Sequence, residues 1–256
     1  MAYRHGIYVS EQETSMIAPL NGTAGLQIVI GTAPVHLLED PAAAINKPLL
    51  VYSKAEAIAA VGYSDDFERY TLCEAISASF AVVNVAPLVR INVLDPAKHF
   101  SELAEKTVQI NNGMAVLEEK GVLLGDLVVK NGEEALAAET DYTAAYNADG
   151  TVSIVLIEGG KGDGATNLAV SGKMVDASKV TAADIVGGVD IATGAETGLE
   201  VVRQVYPKLG MTPGILTAPR YSADATVCAA LQAKTKEING VFKCVCIVDE
   251  IGRAHV

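Results

Sequence analysis

The feature that most constrains this chain is a change of pattern in its middle. Residues 21–97 alternate short apolar strands with helical spacing, and residues 198–256 do so again. Between them, residues 98–197 are rich in glycine and mostly show the two-residue alternation of β-strands. Strands that alternate with helices are typical of an α/β layer, whereas strands and turns alone are typical of a β-sheet domain. The order therefore predicts a discontinuous α/β core domain that carries an inserted β-rich domain.

The first 20 residues fit neither pattern. One short strand-like run stands near the start, and it consists of Gly6, Ile7, Tyr8 and Val9. Polar residues follow it, and Pro19 then disfavours any continuation of a regular strand or helix. A segment of only 20 residues has little to bury against itself. We therefore predict that residues 1–20 form an extended N-terminal arm that docks on another surface.

Local signals place several elements of the α/β segments. Ser53 is followed three residues later by Glu56, a capping-box pattern that predicts a helix ending at Gly62. The apolar run at residues 82–85 predicts a strand, and the run at residues 241–248 predicts another.

Turn signals divide the middle segment into hairpins. Asn131-Gly132 and Asp149-Gly150 are dipeptides typical of tight β-hairpin turns, and residues 159–164 (GGKGDG) form a further loop. A short helix is expected only near residues 182–186. Residues 98–197 are thus predicted to be β-rich.

The charge and cysteine content exclude several classes of protein. The chain has 31 acidic and 19 basic residues, a net charge of −12, which disfavours binding to nucleic acid or to anionic membranes. It contains neither a signal-peptide pattern nor an apolar run of the roughly 20 residues that would span a bilayer. The four cysteines lie within apolar patterns and indicate a reducing compartment; they are Cys73, Cys228, Cys244 and Cys246.

No catalytic, cofactor-binding or metal-binding residues can be assigned from motifs. Neither of the glycine-rich phosphate-binding fingerprints occurs. The four histidines stand singly, without the spacing of a zinc site; they are His5, His36, His99 and His255. Cys244 and Cys246 lie on one face of a predicted strand, where they are expected to act as small hydrophobic residues.

Several segments resemble, in order and spacing, the sheath proteins of contractile phage tails and related injection devices. They are residues 25–34 (GLQIVIGTAP), 46–51 (NKPLLV), 70–76 (YTLCEAI), 84–87 (NVAP), 91–96 (INVLDP) and 212–222 (TPGILTAPRYS). The resemblance covers most of residues 1–96 and 198–250 and leaves the β-rich segment without a signature.

This resemblance implies a structural protein, not an enzyme, that needs no cofactor. Its partners would be other copies of itself, in a helical polymer, and the inner tail tube protein around which the polymer contracts. It would assemble in the bacterial cytoplasm and end in the tail of a phage or phage-like particle. Terminal arms of such subunits add strands to neighbouring sheets, which would make Gly6, Ile7, Tyr8 and Val9 assembly residues. The resemblance also implies more core and a second arm after Glu250, so we expect the chain to be part of a longer protein.

Two other functions stay open at this point. Carboxylates at predicted strand ends, namely Asp95, Asp249 and Glu250, occupy the place where α/β enzymes hold functional groups, so a small-molecule enzyme is the second hypothesis. The third is a binding module in which residues 98–197 recognise a glycan or a host surface.

Overall fold

The computed structural model describes residues 25–249. The predicted arm with Gly6, Ile7, Tyr8 and Val9 lies outside the described residues, as do Glu250 and residues 251–256. In chain order the strands are β1 (Gln27–Gly31), β2 (Leu49–Val51), β3 (Leu88–Asn92), β4 (Phe100–Asn111), β5 (Met114–Leu117), β6 (Val128–Asn131), β7 (Glu134–Ala135), β8 (Tyr142–Tyr146), β9 (Val152–Leu156), β10 (Asn167–Val175), β11 (Gly188–Val189), β12 (Glu196–Thr197), β13 (Ile215–Thr217) and β14 (Val245–Ile247).

The helices are short. The α-helices are α1 (Lys54–Val61), α2 (Thr71–Ile76), α3 (Ala182–Val186), α4 (Val205–Leu209) and α5 (Ala225–Lys236), and a π-helical turn at Ser77–Val82 continues α2. The 3₁₀ helices are Val35–Leu37, Pro41–Ala44, Leu124–Asp126, Ala177–Lys179, Gly198–Gln204 and Tyr221–Ala223. Helix α1 begins where the sequence predicts, because the Ser53 hydroxyl accepts a hydrogen bond from the Glu56 amide. No helix among residues 25–249 is both long and apolar enough to cross a membrane.

A five-stranded sheet joins the two α/β segments. Its order is β14-β13-β1-β3-β2, with β2 antiparallel to β3 and the other pairs parallel. Every residue of β3 is buried, so both faces of the sheet are covered there. This burial explains the continuous apolar runs in the sequence, because central parallel strands present no face to water.

Two groups of helices cover the two faces of this sheet. Helix α2 packs on β1 and, with α1 and the π-helical turn, forms one group. Helix α5 packs on β13 and β14 and contacts α3 and the 3₁₀ helix Gly198–Gln204, which leads into α4. The two chain segments are also tied directly, since the Asn46 side-chain oxygen accepts a hydrogen bond from the Gly198 amide.

A seven-stranded antiparallel sheet is formed by β4 to β10. Its order is β7-β6-β10-β4-β5-β9-β8, and it has a hydrophobic core of its own that includes Val129, Ile154 and Leu168. The turns predicted at Asn131-Gly132 and Asp149-Gly150 connect β6 to β7 and β8 to β9. Beyond β10, α3 forms where a helix was expected and packs against α5. The boundaries at residues 97 and 197 stay predictions.

The strand predicted for residues 82–85 is wrong. Val82 ends the π-helical turn, and the Val83 and Val85 amides donate hydrogen bonds back to the carbonyls of Ala78 and Ser79. Strand β3 begins only at Leu88 and already has β1 and β2 on its two sides. Because both sides of β3 are already paired, no position beside it is open to residues 82–85, and their backbone bonds to the helix instead.

Candidate assembly surfaces

The outer edge of β14 carries backbone groups that no described strand pairs. On the inner side, the Val245 amide donates a hydrogen bond to the Gly214 carbonyl. Since successive backbone amides in a strand point in opposite directions, the N–H and C=O of Cys246 face the outer side. Such an edge is a template for an additional strand.

Apolar side chains of β14 are also uncovered. Val245 is 60% exposed and Ile247 is 56% exposed. The intervening Cys246 and the preceding Cys244 lie on the other face, half-buried against the hydrophobic core, and burial raises the pKa of the Cys244 thiol to about 11. The two cysteines therefore share one face, as predicted, and the open face of β14 is apolar.

A groove lies at the amino end of β14. It has a volume of about 760 Å³, and its apolar lining residues are Tyr206, Pro207, Val241 and Phe242. The Tyr206 and Phe242 rings stack at a tilt with 4.7 Å between their centroids, while Val241 is 75% exposed. We call this feature the aromatic groove.

Three valines project from residues 82–85, which we call the valine loop. The exposed fractions are 81% for Val82, 63% for Val83 and 53% for Val85. Between them stands Asn84 with a φ of 52°, a left-handed conformation that asparagine tolerates better than most residues. Sequence reasoning missed this surface because the same apolar run also fits a strand. A signal was present, since residues 75–89 contain no charged residue.

The strand-end carboxylates on which the enzyme hypothesis depends accept hydrogen bonds from nearby turns. The Asp95 carboxylate accepts a hydrogen bond from the Ala97 amide. The Asp249 carboxylate accepts from the Arg220 amide and the Ser222 hydroxyl. The strands that precede them, β3 and β14, are separated by β13 and β1, or about 14 Å at the usual strand spacing. The structure does not bring these carboxylates together.

The described histidines have separate surroundings. His99 is buried, and its Nδ1 accepts a hydrogen bond from the Asp95 amide. His36 is buried beside aromatic rings, and burial lowers its pKa to about 4. Among residues 25–249 no three His, Cys, Asp or Glu side chains converge as metal ligands. His5 and His255 lie outside the described residues.

Comparison with known proteins relates the chain to one structural family. Over 242 residues, 93% of the chain, it is 29% identical to the tail sheath protein of Burkholderia phage BcepMu. The chain is a homologue of a phage tail sheath protein. The resemblance predicted from the sequence is thereby confirmed, and with it the description of the chain as related to structural proteins of phage tails. No family model matches the chain.

The homologous region is only part of the phage protein. The match covers 48% of the tail sheath protein, so the chain spans about half the length of this relative. The similarity extends across residues of both the five-stranded and the seven-stranded sheet, since 93% of the chain is aligned.

Proposed function

We propose that this chain is a subunit of a contractile tail sheath, which polymerises around an inner tube and contracts. The observation that carries the proposal is the similarity to a tail sheath protein along 93% of the chain. The open edge of β14 supports it, because a protein that acts by assembly needs unsatisfied surfaces of this kind. The subunit would assemble in the bacterial cytoplasm and act in the tail of a phage or phage-like particle.

The open edge also offers an acceptor for the arm. In this proposal Gly6, Ile7, Tyr8 and Val9 of one copy add as a strand beside β14 of a neighbouring copy. The outward N–H and C=O of Cys246 would then be satisfied by the arm backbone. Exposed Val245 and Ile247 would be covered at the same time, which adds burial of apolar area to the hydrogen bonds.

Contraction would be driven by packing in the polymer. The sequence lacks the glycine-rich fingerprints that bind nucleotide phosphates, so the proposal uses no nucleotide as its energy source. Two packings of the same subunits, an extended one of higher free energy and a contracted one of lower free energy, would store and release the work.

The acceptor edge can be tested at a single backbone amide. Cys246→Pro removes the outward N–H while leaving the inward Val245 amide in place, and Cys246→Val is the matched control that keeps both. Electron microscopy of assembled particles should show fewer and shorter polymers for Cys246→Pro than for Cys246→Val. Equal polymer length in two variants that are equally well folded would exclude β14 as the acceptor.

A further inference from the structure

We propose that His36, which lies beside the rings of Tyr70 and Tyr146, is a latch that holds the two sheets together and opens when its imidazole takes up a proton. Opening separates the sheets as two folded units and unfolds neither of them. The latch belongs to a single chain, so it does not depend on the proposed function. Three features of the described residues support it, namely separate cores, a narrow contact and a buried imidazole nitrogen without a partner.

The two sheets can separate because each has its own hydrophobic core. Ile91 belongs to the core of the five-stranded sheet, and Leu168 belongs to that of the seven-stranded sheet. Strands β4 to β10 are consecutive in the chain, so within residues 25–249 the backbone passes between the sheets twice, after β3 and after β10. The Asp176 amide donates a hydrogen bond of 2.9 Å to the His99 carbonyl and joins these two passages. They form a pivot that keeps the sheets connected when the latch opens.

The contact between the sheets is narrow around His36. The Tyr146 ring of β8 meets the imidazole edge-on with 5.7 Å between the centroids, and Leu123 also packs on the core of the five-stranded sheet. Two cavities of about 340 and 410 Å³ adjoin His36, and each is lined by residues from the segments of both sheets. The interface is therefore incompletely packed, and it buries less apolar area than a filled interface of the same extent.

The chemistry of the imidazole favours release in acid. Its Nδ1 is buried and has no hydrogen-bond partner among the described residues, whereas water supplies one in the open form. Burial lowers the pKa of His36 from 6.5 to about 4, so the closed form resists a proton that the solvated ring of the open form accepts. The open form therefore gains as the pH falls below 6.5. Between pH 7.5 and pH 5 the equilibrium shifts toward it about 30-fold.

Charged groups near the ring do not reverse this preference. The cavities that adjoin His36 are lined by five carboxylates and one amine, those of Glu39, Asp65, Asp66, Asp126, Asp149 and Lys120. Carboxylates in contact with the imidazole would raise its pKa, but the pKa is lowered, and burial is the cause. Tyr70 and Tyr146 stay uncharged at neutral pH, since burial raises the pKa of both phenols.

The test is small-angle X-ray scattering of the monomeric chain at pH 7.5 and pH 5, with far-ultraviolet circular dichroism of the same samples. The parent should show a larger radius of gyration at pH 5 with an unchanged dichroism spectrum. His36→Phe keeps an aromatic ring that takes up no proton, and it should stay compact at both pH values. His99 is retained in this variant, so an acid effect that arose from His99 would persist. A parent that stays compact at pH 5, a His36→Phe chain that opens like the parent, or a spectrum that is lost on opening would overturn the latch.

A second pair of variants opens the latch without acid. Tyr146→Ser removes the ring that meets His36 and should raise the radius of gyration already at pH 7.5. Tyr52→Ser makes the same exchange at an exposed tyrosine after β2 and should leave the radius unchanged. Equal scattering from Tyr146→Ser and Tyr52→Ser would overturn the latch. Either failure concerns the shape of a single chain, whereas the sheath role is decided by the polymers seen in electron microscopy.

Discussion

The imidazole of His36 meets the ring of Tyr146 edge-on, with 5.7 Å between the ring centroids. His36 precedes β2 beside the five-stranded sheet, whereas Tyr146 ends β8 of the seven-stranded sheet. Tyr70 flanks His36 as well, at 6.3 Å, and the Tyr146 hydroxyl donates a hydrogen bond to the Val122 carbonyl. Within residues 25–249 nothing forms a hydrogen bond with Nδ1 of His36. A buried neutral histidine thus helps to join the two sheets.

This junction predicts a loss of stability in mild acid. Burial lowers the pKa of His36 from 6.5 to about 4, so between these pH values the unfolded chain binds more protons than the folded one. The free energy of unfolding therefore falls as the pH is lowered through this window, by about 3 kcal/mol in total. His36→Phe keeps a buried ring and should remove this part of the pH dependence in denaturant unfolding. Parallel pH profiles for the parent and His36→Phe would contradict the assignment.

A side chain at Gly31, the last residue of β1, is predicted to clash with α2 and to destabilise the fold. A Cβ added there would overlap Oγ1 of Thr71, which itself accepts a hydrogen bond from the Thr32 amide. Gly31→Ala should lower the free energy of unfolding by about 1–3 kcal/mol, as is usual for overpacking. Gly25→Ala, where a Cβ meets nothing within 4 Å, is the control and should change stability little. Equal unfolding midpoints for the two variants would contradict this prediction, because they would mean that β1 and α2 move apart at no cost in stability.

Replacing the buried Arg90 is predicted to raise the free energy of unfolding, unlike the substitution at Gly31. Its side chain is fully buried on β3, and among the described residues its guanidinium has no hydrogen-bond partner. Its guanidinium carbon lies 6.0 Å from the centroid of the Phe80 ring, and burial lowers the pKa of Arg90 to about 9. Arg90→Met should therefore stabilise the fold by about 1–4 kcal/mol, whereas Arg90→Lys, which keeps the charge, should not. A lower unfolding temperature for Arg90→Met would mean that the guanidinium is paired.

The arm hypothesis predicts an assembly defect without a folding defect. Val9→Pro removes one backbone donor from the strand-like run and should shorten polymers, while Val9→Thr keeps the donor and the β-branched shape. Polymer length in electron micrographs and thermal unfolding of the unassembled chain would be measured together. Unchanged polymer length in Val9→Pro would count against Gly6, Ile7, Tyr8 and Val9 as assembly residues.

Much of the secondary structure follows from short-range chemistry. The Ser53 cap, the apolar runs of β1 and β3, and the turns at Asn131-Gly132 and Asp149-Gly150 all act through neighbours in the sequence, so the sequence predicts them. The run at residues 241–248 shows the limit of this reasoning. Only Val245–Ile247 joins the five-stranded sheet. Phe242 instead forms an antiparallel bridge with Ile238, and the Cys244 amide donates to the Thr235 carbonyl of α5.

The assembly surfaces were harder to predict for the same reason. An apolar run at residues 82–85 is equally suited to a central strand and to a docking loop, and the difference depends on whether a sheet edge is free. Both sides of β3 are occupied by strands distant in sequence, namely β1 and β2. Likewise, the groove brings Tyr206 next to Phe242 across 36 residues, a contact that no local pattern encodes.

The central claim is that the protein acts by polymerising with copies of itself. Negative-stain electron microscopy of the protein purified from its complete open reading frame, beside the 256-residue chain, tests it most directly. The account predicts rings or tubes of uniform diameter for the former, built by repetition of one heterologous contact. Small monodisperse particles in both samples, even at high protein concentration, would contradict it.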